Sequence, residues 1–115
     1  MIETTIRDYL IRELNTENVY LEIPKPMPDE CVVFTIVDRS RDNHIDAVTA
    51  ECMSYAESKV KAAELDEKVR RAMYEFINEQ NISSVKLGGG NDAQDTTLKR
   101  YRYRSYFNIV YMEDM

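Results

Sequence analysis

Near its end the chain alternates two kinds of residue with a period of two. Tyr101, Tyr103, Phe107, Ile109 and Tyr111 fall on one side, and Arg100, Arg102, Arg104, Tyr106 and Asn108 on the other. A period of two marks a β-strand with unlike faces, and it predicts a strand from Leu98 to Met112. On such a strand the three arginines form one stripe, with guanidinium groups about 7 Å apart. Three such charges are too costly to bury together without partners. One face of this strand must therefore meet water, carboxylates of the same chain, or another molecule. The other face seeks a core.

The rest of the chain divides at two clusters of backbone-special residues, Pro24/Pro26/Pro28 and Gly88/Gly89/Gly90. Ile2, Ile6, Tyr9, Leu10 and Leu14 recur at spacings of three and four, which predicts a helix over Ile2–Leu14, stopped by Asn15–Asn18. Val19–Ile23 reads as a short strand rich in β-branched residues. The proline segment cannot continue a ladder, because three of its residues lack an N–H. Cys31–Val37 is almost wholly apolar, as a central strand is. Asp38–Asn43 reads as a polar turn and Ile45–Tyr55 as a third strand pairing back on the second. Ala56–Gln80 reads as a long helix with an apolar stripe of Val60, Ala63, Val69, Ala72, Met73, Phe76 and Ile77. Glu64–Lys68, Asp66–Arg70 and Glu67–Arg71 lie at the favourable i,i+4 spacing. Ile82–Leu87 reads as a fourth strand, and Gly88-Gly89-Gly90-Asn91-Asp92 as a flexible loop before the fifth. The order α-β-β-β-α-β-β predicts an α+β fold: an antiparallel sheet of four to five strands with both helices packed on one face.

At 115 residues, 43% of them hydrophobic, the chain has material for one core and no second one. Fifteen basic residues face twenty-one acidic ones, a formal net charge of -6. An acidic chain lacks the broad basic footprint of a general nucleic-acid binder, and anionic membranes repel it. No apolar run reaches the ~20 residues of a membrane span, and the N-terminus lacks the pattern of a secretory signal. Composition thus predicts a soluble cytosolic protein. Its two cysteines, Cys31 and Cys52, read as small buried hydrophobes; a bridge between them requires neighbouring strands.

Few constellations suggest chemistry. His44, the single histidine, sits between Asp42 and Asp46, a pattern that could orient a general base. It lacks a readable nucleophile or metal set, so an exposed turn residue is the simpler reading. The glycine triplet is not followed by Lys-Ser/Thr or a helix start and does not make a phosphate loop. No cofactor, small-molecule substrate or enzymatic activity is expected. The arginine stripe stands out, and three readings of it compete. It is a solvated face with carboxylate partners, an oligomer interface rich in Arg and Tyr, or a nucleic-acid contact with tyrosines stacking on bases.

The whole chain has a further likeness. Val19-Tyr20-Leu21-Glu22-Ile23-Pro24 precedes a proline-rich turn and an apolar strand. Ser54-Tyr55-Ala56 precedes the long helix. Asp95-Thr96, Tyr101-Arg102-Tyr103 and Asn108-Ile109-Val110-Tyr111 follow in order. The ordered set, rather than any single motif, resembles the small tail-completion proteins of long-tailed bacteriophages and prophages, the tail-terminator or head-to-tail joining group. That resemblance implies a structural virion protein that forms a ring, commonly a hexamer. Such a ring caps the tail tube and meets the head–tail connector proteins. It also implies a place in the virion tail or neck, and in the host bacterial cytoplasm before assembly.

The resemblance assigns no roles to individual positions, so candidate contacts rest on residue chemistry. They are Arg100, Tyr101, Arg102, Tyr103 and Arg104 of the stripe; Arg39, Arg41, Asp42 and His44 of the polar turn; Gly88, Gly89, Gly90, Asn91 and Asp92, which would order on assembly; and the helix carboxylates Glu64, Asp66 and Glu67. A ring needs two unlike patches that match, and the basic strand with the acidic helix is one such pair. The alternative function is a small nucleic-acid-binding α+β module that uses the Arg/Tyr-rich last strand.

Overall fold

The computed structural model describes residues 1–92 and 100–112. The elements run α1 (Ile2–Leu14), β1 (Val19–Tyr20), β2 (Cys31–Asp42), β3 (Ile45–Ala56), α2 (Lys59–Glu75), a 3-10 turn (Phe76–Asn78), β4 (Ile82–Asp92) and β5 (Tyr101–Met112). The fold is α+β, as the element order predicts. One five-stranded sheet has the order β1-β2-β3-β5-β4. Asp95, Thr96 and Leu98 lie outside the described residues.

The sheet is mixed where a wholly antiparallel one is predicted, since β1 runs parallel to β2. The cause is the proline segment. Too rich in proline to turn as a hairpin, it runs back so that β2 starts in the same direction as β1. On the way Met27 packs against Cys31, Val33 and Tyr55. Only Val19 and Tyr20 join the ladder, so the predicted strand over Val19–Ile23 ends three residues early.

The second and third strands are longer than their apolar cores. Asp38–Asp42, predicted as a turn, continues β2 in register with Ile45–Thr49. The turn itself is Asn43-His44, both in the left-handed region (φ 50° and 67°). That is the two-residue hairpin geometry whose twist suits flanking strands. The extra residue between Ile36 and Asp38 makes a bulge at Val37.

Both helices cover the same sheet face. Ile6, Leu10, Val32, Phe34, Val69, Met73, Phe76, Phe107 and Ile109 bury themselves in this layer. Burying one such side chain contributes roughly 1.5–3 kcal/mol, so this layer dominates stability. Tyr9 packs its ring 4.8 Å from that of Phe76 and donates its hydroxyl to the Ala72 carbonyl. Burial, helped by Glu13, pushes the Tyr9 phenol up to about 12.

α1 ends with Asn15 in the left-handed region, and Ser58 caps α2 by accepting from the Lys61 N–H at 3.2 Å. Those two residues punctuate the helices where their chemistry suggests. The buried stripe of α2 is Ala62, Leu65, Asp66, Val69, Ala72 and Met73. Val60 and Ile77, predicted to be buried, are 66% and 45% exposed. Neither described helix is long and apolar enough to cross a membrane.

Candidate assembly surface

The sheet's second face is only half covered. Cys31, Val33 and Tyr55 form a small buried cluster there with Tyr20, Met27 and Met53. The arginine stripe runs along this cluster. Arg100 donates to the carbonyls of Asp29 (3.1 Å) and Met27 (3.3 Å), tying the proline segment to the start of β5. Arg102 lies opposite Tyr55 in the ladder, with its guanidinium carbon 5.9 Å from the ring centre and Nη1 3.3 Å from the hydroxyl. Arg104 pairs with Glu51 at 3.8 Å, and Glu51 also holds Tyr106, whose phenol is raised by that hydrogen bond. Each of the three guanidinium groups thus has a contact inside the chain, a carboxylate for Arg104, backbone carbonyls for Arg100 and an aromatic ring for Arg102. Engaged guanidinium groups make a poor free footprint for phosphates. Tyr101 and Tyr103 fall on the helix side of β5, Tyr101 exposed and Tyr103 half-buried.

Asp66 is not a surface carboxylate. It is 2% exposed and accepts a 2.6 Å hydrogen bond from Ser105 Oγ, while its other oxygen meets Arg70 at 2.6 Å. It is a bolt between α2 and β5 and unavailable to a partner. The i,i+4 pair with Arg70 forms as predicted, but Asp66, expected among the interface carboxylates of the helix, is buried. Glu64 and Glu67 are exposed, and Glu67 pairs with Arg71 at 2.6 Å.

The glycine triplet is not a loop. Gly88, Gly89 and Gly90 lie inside β4, and the ladder with β5 continues through Asn91 and Asp92. The neighbours explain the residue type. A Cβ on Gly90 would sit 2.7 Å from the Arg104 carbonyl oxygen, and one on Gly88 2.9 Å from Asn108 Nδ2. Gly89 has φ +141°, beside the bulge between Leu87 and Gly89.

At the hairpin tip Arg39 pairs with Glu3 of α1, and Arg41 faces Asp46 at 3.9 Å. Asp42 and His44 are exposed there. The left-handed backbone of His44 accounts for its place in the turn. The thiols offer no nucleophile at neutral pH: burial pushes Cys31 up to about 11 and Cys52 up to about 12. Both cysteines are free, with Cys31 on the outer face and Cys52 on the helix face. An open cleft between α1, α2 and the start of β2 is lined by Leu14, Asn18, Glu30, Cys31, Leu65 and Lys68. Among the described residues no three His, Cys, Asp or Glu side chains converge as a metal site would require.

What the strand order leaves exposed is edge. β1 pairs with β2 only at Val32 and Val33, so the described sheet leaves the rest of β2 without a neighbour on that side. β4 ends the sheet on the opposite side. Lys86 of β4 is absent from the sequence-derived candidates. The signal for it in the sequence is a lone charge between Val85 and Leu87. No family model matches the sequence, and a search of curated proteins finds no match.

Proposed function

We propose that the protein is a structural assembly component of a long-tailed bacteriophage or prophage, a tail terminator or head–tail joining subunit that works as a ring of copies. The observation that carries this reading is the pair of unlike edges of the described sheet: β4 at one end and, at the other, β1, which covers only Val32 and Val33 and leaves the rest of β2 without a neighbouring strand among the described residues. Two unlike edges on one subunit favour head-to-tail association, which closes into a ring when the rotation allows. The ordered motifs that resemble tail-completion proteins supply the biological setting. The long hairpin gives the subunit an elongated form, 44 Å against 24 and 23 Å. Its exposed tip is then a contact for the tail tube or the connector.

The test is electron microscopy of the protein mixed with phage tail tubes. The expected image is a ring capping one end of each tube. Bare tube ends at saturating protein would contradict the reading. Salt-sensitive binding to DNA would instead favour a nucleic-acid module.

A further inference from the structure

We infer that the β4 edge of one copy adds to the β2 edge of the next beyond β1, antiparallel, with Lys86 set against Asp38 and, across the bulge at Val37, Leu87 against Ile36. This inference names the contact behind the proposed self-assembly, and its ring geometry rests on that reading.

Direction comes first. β3 runs antiparallel to β2, β5 to β3, and β4 to β5. β4 therefore runs opposite to β2 within one subunit. A neighbour related by rotation about an axis along the strands keeps that direction. Its β4 then meets β2 antiparallel, the more stable pairing of the two.

Level comes second. Asp38 pairs with Thr49, Thr49 with Asn108, and Asn108 with Lys86, so Asp38 and Lys86 end one row across the sheet. Ile36, Ala50, Phe107 and Leu87 form another row. When copies join at equal height, each row continues into the next molecule. The Lys86 ammonium then lies on the same outer face as the Asp38 carboxylate, and Leu87 on the same helix face as Ile36. Opposite charges and apolar pairs directly across an antiparallel ladder are mutually stabilising. A step with no shift along the rotation axis closes a ring when its rotation divides a full turn, and a residual shift would climb into a filament.

Availability comes third. Asp38 and Lys86 are both exposed, and neither makes an ion pair among the described residues. Leu87 is 37% exposed although it pairs with the buried Phe107. The bulge at Val37 falls between the two pairs, and those next to Ser84 and Gly89 flank the β4 side, so the ladder is short and irregular. A short ladder suits a specific contact and discourages open-ended strand addition.

The test is disulfide capture in the full chain. An Asp38→Cys variant is mixed with a Lys86→Cys variant under mild oxidation. The native thiols are buried and do not compete. Directly opposed antiparallel residues have Cα atoms about 4.5–5.5 Å apart, within the reach of a disulfide. The expected result is a shift to twice the 13.5 kDa monomer mass in the mixture, through a bond between positions 38 and 86. The double variant, Asp38→Cys with Lys86→Cys, should form a covalent ladder that stops at a closed ring. Predominant 38–38 or 86–86 bonds would overturn the head-to-tail contact. Association seen by light scattering without the 38–86 bond would overturn the edge contact and leave the assembly reading standing. A chain that stays at monomer mass and forms no bond would overturn both.

Discussion

Asp66 of α2 and Ser105 of β5 meet at 2.6 Å in the interior, and both are almost wholly buried. Arg70 completes the group, its Nη2 on the carboxylate and its Nε 3.3 Å from Ser105 Oγ. A buried carboxylate depends on its donors, so each partner removed leaves an unmet charge. Ser105→Ala should destabilise by about 1–3 kcal/mol. Asp66→Ala should cost more, about 2–3 kcal/mol, because it takes the acceptor from both Ser105 and the partly exposed Arg70. Urea denaturation of the two variants checks the order; negligible losses in both would show that the bolt is dispensable.

The three glycines make a graded prediction. Gly90→Ala drives a methyl into the Arg104 carbonyl, which cannot move without breaking the ladder. Gly89→Ala forces an L side chain into a backbone conformation, φ +141°, that costs about 1–3 kcal/mol. Gly88→Ala meets the far end of a side chain, Asn108 Nδ2, which can swing aside. Thermal melting should therefore rank Gly90→Ala and Gly89→Ala well below Gly88→Ala. Three similar melting temperatures would mean that β4 is not held to β5 as described.

Legibility followed periodicity and failed where tertiary neighbours decide. The α1 stripe of Ile2, Ile6, Tyr9 and Leu10, and the β5 alternation of Phe107, Ile109 and Tyr111, were readable because one solvent boundary sets their pattern. Asp66 was not, because its charge resembles those of Glu64 and Glu67. Only the position of Ser105 on the facing strand turns it inward. Gly88–Gly90 read as a loop because the reason for a missing Cβ lies on another strand, at Arg104 and Asn108. Asp38–Asp42 read as a turn because its charges hide a strand whose faces are both wet. Of the proposed contact, Asp38 fell within a candidate segment, while Lys86 gained meaning only from the strand order.

Alkaline pH should weaken the fold. Cys31 and Cys52 move from an ordinary 9.0 up to about 11 and about 12, chiefly by burial. The folded state therefore keeps protons that the unfolded chain gives up. Their contribution is whole below pH 9 and is lost as pH rises toward those values. Each buried thiol removes roughly 1.4 kcal/mol per pH unit in that window. The Tyr9 phenol, pushed from 10.0 up to about 12, adds to the loss above pH 10. Urea midpoints at pH 8, 9 and 10 should be level from 8 to 9 and fall by 10. A flat profile across all three would place the thiols in contact with water.

Arg102 supports the half-covered face. Its guanidinium rests on Tyr55, which is fully buried. Arg102→Ala should destabilise by about 1 kcal/mol through the lost cation–π contact and the exposed ring. Tyr55→Phe keeps the ring and drops only the hydroxyl contact, so its loss should be smaller. A double-mutant cycle on the two residues measures the coupling; a coupling of zero would mean that Arg102 does not rest on Tyr55.

The central claim is that copies of this chain join through unlike edges into one closed body. Sedimentation velocity over a wide range of concentration tests it most directly. The account predicts a single large species, a fixed multiple of the 13.5 kDa monomer, that does not grow further as concentration rises. Sedimentation at the monomer mass throughout, or a series of ever larger species without a limit, would contradict it.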